Sequence, residues 1–333
     1  MREKISKHRS EIMAICIFLV YFNHLFYEPA EGSIGFIIHR NAILGVDAFI
    51  VLSMFGLYHS FEKNPITNLR TYWQYLFRRI LRIYVVYAPV TVMHMLIDNW
   101  SIKELVRKLL LIDQLTQSIY VHLWYIPCII IFYIFAPFCY MLVKKVKNVP
   151  LLTVALSVAL YIFLFTVNPT GLIRRDINAI LTRIPDVFLG FMLATYDDSL
   201  SKKARNLYSV LIAVMALFGA GLVYYEINYG FFDAFHADNV IHSNLLVSAM
   251  IVVLALIFDA FDKLKATAFI NKALALIGTL TLEIYCLHEW VWKYISPMEI
   301  KLGKRHIACA LIIFVASMGL NRIGRFFLQK PAK

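Results

Sequence analysis

The residues able to do chemistry sit where they cost most. Residues 14–33 read AICIFLVYFNHLFYEPAEGS, a run apolar enough to cross a bilayer that carries Asn23 and His24 near its far end. An ionisable side chain inside a span costs about 2.5 kcal/mol or more, so its presence asks for a reason. The next apolar run holds Asp47 a few residues from its start. At a helical rise of about 1.5 Å per residue, His24 and Asp47 both fall roughly 6–8 Å from the same membrane face. A carboxylate near an imidazole would fix its tautomer and raise its basicity, as a general base requires. His288 and Glu289, near the end of a later run, fall at the same depth, and His122, Trp124 and Tyr125 open another run on that side. If the four runs converge, these groups line a polar pocket facing outward. The plainer reading stays open at each position. A histidine near a helix end is commonly a hydrogen-bonded interface residue, His122 and Glu289 can sit among headgroups, and Asp47 can complement its own helix N-terminus.

The opposite face carries different chemistry. The stretch RRILR places Arg79 and Arg82 at i, i+3 beside Arg78, at what reads as a helix start. Guanidinium forks suit phosphate oxygens, and a helix N-terminus adds its own attraction for anions. Arg9, at the foot of the first run, either pairs with Glu11 or joins that phosphate site. The alternative for the arginines is an anchor to lipid headgroups. Glu283 lies deep in a late run and needs a partner such as Arg or Tyr. His94 and Asp98 in HMLID share a helix face by default spacing and carry little weight. No glycine-rich phosphate loop is present.

The elements that must position these groups are membrane helices. The 333 residues are 60% hydrophobic and 16% charged, with a mean hydropathy of +0.68, against about a quarter charged in soluble domains. Apolar runs of roughly 17–25 residues match the length needed to cross a hydrocarbon core. The expected fold is all-α, a single polytopic domain over residues 1–333 with about ten transmembrane helices. They fall near 10–28, 42–60, 82–98, 122–143, 150–167, 178–195, 207–227, 241–258, 273–293 and 307–327. With the N-terminus inside, the inner connections hold 22 Lys and Arg and the outer ones 11, Arg183 counted among the latter with Arg174 and Arg175. That bias places both termini in the cytoplasm. In this setting the net charge of +12 points to anionic lipid and not to nucleic acid. Residues 61–82 read as the longest inner connection. Residues 99–121 read as the longest outer one, with KELVRKLLLI as an amphipathic interfacial helix. The five cysteines all fall inside apolar runs, with neither a disulfide framework nor a metal spacing, so no metal is expected. No cleavable signal peptide is read at the N-terminus.

Six blocks in order carry a family likeness: HRSEIMAICIFLVYFNH, GVDAFIVLSMFGLYHS, YLFRRILRIY, HLWYIPCIIIFYIFAPF, RIPDVFLGFML and LTLEIYCLHEW. Together, from about residue 9 to 292, they resemble the acyltransferase 3 family of membrane-bound O-acyltransferases, most closely its exopolysaccharide and capsule acetylating members. The resemblance implies transfer of an acetyl group from cytoplasmic acetyl-CoA, the cosubstrate, to a hydroxyl of an extracytoplasmic glycan. The family's catalytic histidine falls on His24, its donor-side RxxR on Arg79 and Arg82, its acidic residue on Asp47, and the serine of its second-span motif on Ser53. Two positions depart from the pattern: Met13 stands where many members carry Arg or Lys, and the usual Ser-Gly pair reads Ser53-Met54. Residue 333 follows soon after the last run, so no C-terminal extracellular domain is expected. The protein would act alone, as a homo-oligomer or with polysaccharide-assembly partners, in the cell membrane.

One rival is a transporter or flippase for a small anion or lipid-linked sugar; the missing internal repeat speaks against it. A second is a family member using another donor, such as succinyl-CoA.

Overall fold

The structure is a computed structural model describing all residues except 25–32, 117–122, 168–174, 230–239, 265–266, 296–301 and 330–333. Every element is a helix, with no strand among the described residues. In chain order they are α1 (Arg2–Lys7), α2 (Arg9–Asn23), α3 (Ile34–Arg40), α4 (Leu44–Lys63), α5 (Leu69–Asp98) and α6 (Ile102–Leu109). Then come α7 (Ile112–Thr116), α8 (Tyr125–Lys145), α9 (Val149–Val167), α10 (Arg175–Leu181) and α11 (Ile184–Thr195). The last five are α12 (Lys202–Tyr229), α13 (Val240–Asp262), α14 (Ala268–Gly278), α15 (Thr281–Ile295) and α16 (Leu302–Gln329). Among the described residues eight segments are long and apolar enough to cross a membrane, or nine if α14 and α15 count as one bent span. The ten expected spans differ from this at the first, because α2 has only 15 described helical residues and ends at Asn23.

Two compact units divide the chain. The first comprises Met1–Ile66 with Ile134–Thr279, the second Thr67–Tyr133 with Leu280–Lys333.

In the first unit α4 is the central helix, buried along most of its length and packed on α2, α11 and α13. Lipid tails give helices no hydrophobic reason to associate, so close backbone approach through small residues has to supply it. Gly190 of α11 does this against α4: a Cβ there would collide with the Val51 carbonyl and with Met54. The small residue at this crossing is thus the glycine of α11, and Met54 is fully buried against it. Gly278 of α14 likewise rests on the backbone of Ser10 in α2. At one end, α1 is tied down by Arg2–Asp197 (2.5 Å), Lys4–Asp259 (2.7 Å) and Lys7–Asp262 (2.7 Å). These pairs put the N-terminus and the connections after α11 and α13 on one face of the unit, as the loop assignment requires.

Two expectations are corrected here. Residues 61–82 are no long connection: α4 runs to Lys63, and α5 starts at Leu69 behind a reciprocal cap between Asn68 and Thr71. Charged and aromatic residues hid the helix from a hydropathy reading, although Asn68-x-x-Thr71 marks its start. Arg183, counted among outer-loop charges, lies in the turn joining α10 to α11, inside the candidate span Ile177–Thr195, and is 2% exposed.

The second unit packs α15 and α16 against the 30-residue α5. The amphipathic stretch forms α6, capped reciprocally by Ser101 and Glu104. It is held to α5 by Tyr87 donating to the Lys108 carbonyl (2.6 Å) and Tyr84 to that of Leu109 (2.8 Å). Ile102, Val106 and Leu110 stay exposed, the pattern of a helix lying in an interface.

Candidate active site

His24 closes α2 as its C-terminal cap residue, so it ends the helix and does not lie within it. Its Nδ1 is 2.8 Å from the Val20 carbonyl. A carbonyl only accepts, so Nδ1 carries the hydrogen, and in the neutral ring the lone pair is on Nε2. The backbone therefore fixes the tautomer that the sequence reading assigned to Asp47.

Asp47 is occupied elsewhere. Fully buried in the first turn of α4, it is ion-paired with Arg183 (Oδ1–Nε 2.9 Å) and accepts from the Ser243 hydroxyl of α13. Asp186, one turn after Arg183 and equally buried, accepts from Asn244 Nδ2 (2.8 Å), whose own oxygen accepts from Tyr161 of α9. Two carboxylates and one guanidinium thus tie α4, α9, α11 and α13 together. Two residues before Asp47, Gly45 lies against the Cys16 carbonyl, Leu19 and Val20, so that a Cβ there would have no room. Asp47 consequently reaches His24 through packing: it locks the start of α4 against the turn whose carbonyl orients the ring.

Other site candidates of this unit lie along α4. Ser53 is half-buried beside Met54. The Arg9 guanidinium lies over Gly56, where a Cβ would come 3.0 Å from its Cζ. Glu11 has His8 near it, with Nδ1 3.4 Å from one carboxylate oxygen. The charges of Arg2, Arg9 and Lys63 all act on His59, which lines a cavity of about 410 Å³ with Arg2, Tyr58, Glu62 and Lys63.

In the second unit Arg78, Arg79 and Arg82 lie well inside α5, roughly 15–20 Å from its N-terminus, too far for the end of the helix to aid anion binding. This corrects the helix-start reading. The Arg79 guanidinium is 6.0 Å from the ring centre of Tyr75, Arg78 donates from Nε to the Gln74 carbonyl (3.0 Å), and Arg82 is exposed. Glu283, in the first turn of α15, accepts from Asn321 Nδ2 of α16 (2.7 Å) and feels the charge of Arg325.

Tyr285 gathers the remaining candidates. Its hydroxyl accepts from the Tyr125 amide (3.2 Å), the Trp124 ring meets Tyr125 edge-on, and the His288 ring lies 5.6 Å from that of Tyr285. His288 is buried and repeats the His24 arrangement, with Nδ1 2.7 Å from the Tyr285 carbonyl, while Glu289 stands 4.0 Å from its Nε2. Leu123, just before Trp124, has φ 71°, a left-handed conformation that a leucine adopts only under constraint from its surroundings. His122 lies outside the described residues. His94 stacks on Trp290, and Asp98 pairs with Lys293 (2.9 Å).

Sequence reasoning missed Arg183, Asp186, Ser243, Asn244 and Tyr285. The insertion-cost argument that singled out His24 applies equally to Arg183 and Asp186, set three apart in RIPD at the start of an apolar run.

Compared with known proteins, the chain matches the acyltransferase 3 family model, described as an acyltransferase domain, over residues 14–321. Neither a curated protein nor a solved structure matches it.

Proposed function

Because the chain belongs to the acyltransferase 3 family and is a multi-pass membrane acyltransferase, we propose that it moves an acetyl group from acetyl-CoA to a hydroxyl of an extracytoplasmic glycan, with His24 as general base. The observation that supports the assignment best is the His24 tautomer: Nδ1–H is committed to the Val20 carbonyl, which leaves Nε2 as the basic atom.

In this scheme Nε2 takes the proton of the glycan hydroxyl as its oxygen attacks the thioester carbonyl. The C–S bond then breaks, and the departing thiolate recovers that proton from the imidazolium, leaving an acetyl ester and free CoA thiol. The hydrogen bond to Val20 steadies the ring in both protonation states, because Nδ1 carries a hydrogen in each. Arg78, Arg79, Arg82 and Arg9 are the cations assigned to the donor's phosphates, suited by their planar forks. Ser53, Trp124, Tyr125, Glu283, His288 and Glu289 are assigned to support and to the acceptor.

The orientation has both termini in the cytoplasm of the cell membrane. The excess of Lys and Arg read in the inner connections, 22 against 11, supports it.

The test compares surface glycan from cells making the wild type and His24→Ala at equal protein levels. Loss of alkali-labile acetyl esters, seen by mass spectrometry as one acetyl per modified unit, is expected. Undiminished acetylation would exclude His24 as the base, and a different acyl mass would replace acetyl with another donor group.

A further inference from the structure

In the second unit α5 and α16 approach closely at one point. A Cβ built on Gly324 would stand 3.1 Å from Cγ1 of Val85. That contact sets the relative position of the arginines on either side. Side chains advance about 100° per residue around a helix, and α16 runs antiparallel to α5. Arg82 lies about 4.5 Å along α5 from Val85 and about 60° round from it; Arg79 lies one turn further on, about 120° round. Arg325 adjoins Gly324, about 100° round, and Asn321 lies about 60° round on the same side. Because the helices are antiparallel, these rotations bring Arg79, Arg82 and Arg325 to the same flank. On the α16 side, Asn321 bonds to Glu283 of α15, and Arg325 acts electrostatically on that carboxylate. One oxygen of Glu283 is held by Asn321. Arg82 has no acidic partner among the described residues. Arg322, although it repeats the i, i+3 spacing with Arg325, lies about 160° round from Gly324 and faces away.

We propose that Arg325 completes a three-guanidinium site with Arg79 and Arg82 that binds a phosphate ester. Arg325 lies beyond the residues matched by the family model, so nothing in the family match assigns it. The inference rests on the donor-phosphate reading of Arg79 and Arg82. Convergent guanidinium forks give a dianionic phosphate multidentate contacts. A phosphate ester on this flank comes from the acyl donor or from an anionic lipid, because large side chains beside the arginines (Phe77, Ile323, Phe326) are exposed as lipid-facing groups are.

The experiment measures the KM of the purified, reconstituted protein for acetyl-CoA and for S-acetylpantetheine, which lacks phosphates. It is run in zwitterionic vesicles and in vesicles containing phosphatidylglycerol. Arg325→Gln is expected to raise KM for acetyl-CoA about tenfold, the loss of one charge-assisted contact, and leave that for S-acetylpantetheine unchanged. Arg325→Lys should recover part of the loss, and Arg322→Gln should behave as wild type. If the phosphate is lipid-borne, Arg325→Gln instead abolishes a stimulation by phosphatidylglycerol that the wild type shows. Arg79→Gln and Arg82→Gln run alongside. If they raise KM and Arg325→Gln does nothing in either vesicle, the three-arginine site is wrong while the donor reading stands. If none of the three variants responds to either phosphate source, both readings fall. Arg325→Gln acting equally on S-acetylpantetheine would also overturn the site, by showing a structural role.

Discussion

The Asp47–Arg183 pair makes the sharpest energetic prediction. Its Nε and Oδ1 are 2.9 Å apart, with Asp47 0% and Arg183 2% exposed. At an effective dielectric constant near 20, opposite unit charges at that distance attract by about 6 kcal/mol. Desolvation takes back much of it, so the intact pair adds little net stability, while removing one partner strands the other at about 3–5 kcal/mol. The two partners are not equivalent. Asp47→Asn leaves Arg183 with Asp186 still at hand, whereas Arg183→Met leaves two buried carboxylates, held by Ser243 and Asn244, with no cation. The expected costs are therefore about 3 kcal/mol for Asp47→Asn and about 5 kcal/mol for Arg183→Met. Asp47→Asn with Arg183→Met should fall short of their sum by about 2 kcal/mol, because the charge stranded by one change is removed by the other. Denaturant unfolding in mixed micelles, followed by tryptophan fluorescence, reads all three. Costs that add within about 0.5 kcal/mol, or Asp47→Asn as the more damaging change, would refute the picture of one guanidinium shared by two acids.

Two further outcomes follow from local geometry. Gly190→Ala pushes a methyl group into the Val51 carbonyl and should lower unfolding stability by about 1–3 kcal/mol, whereas Gly221→Ala, with nothing near its Cβ position, should not. The Ser101 hydroxyl and amide, both donating to Glu104, hold its carboxyl below the usual range. That cap is complete above the ordinary glutamate range near pH 4.3 and is lost as pH falls through the depressed value. Exchange of the amides of residues 102–109, corrected for intrinsic rates, should quicken only below about pH 4 and lose that dependence in Glu104→Gln; protection unchanged down to pH 2 would contradict it.

Hydropathy made the spans legible because a helix in lipid must be apolar along its whole length, and that signal needs no knowledge of partners. It failed where a helix leaves the hydrocarbon. The first 13 residues of α5, LRTYWQYLFRRIL, are helical yet mix charge with aromatics, so the helix read as a loop. The polar groups were legible one at a time, since each is costly in lipid. Their pairing was not. Asp47 and His24 are at similar depth, but depth fixes only one coordinate, and rotation about the helix axis turns Asp47 to α11 and α13. Arg183 was hidden by being counted as a loop charge, a misreading that the turn between α10 and α11 explains. The Ser53-Met54 departure was equally opaque, because a glycine on another helix supplies the missing space.

The buried network also bears on biosynthesis. Translation delivers α4, with its carboxylate, long before α11 brings Arg183 and α13 brings Ser243. Until then the nascent chain carries a membrane segment whose acid has no counter-ion from its own sequence, so α4 cannot settle beside α2 in its final rotation before the second half of the first unit is inserted. The histidine at the end of α2 acquires its surroundings only at that late stage, and a chain cut short before α11 would present a stranded acid to the quality-control machinery of the membrane.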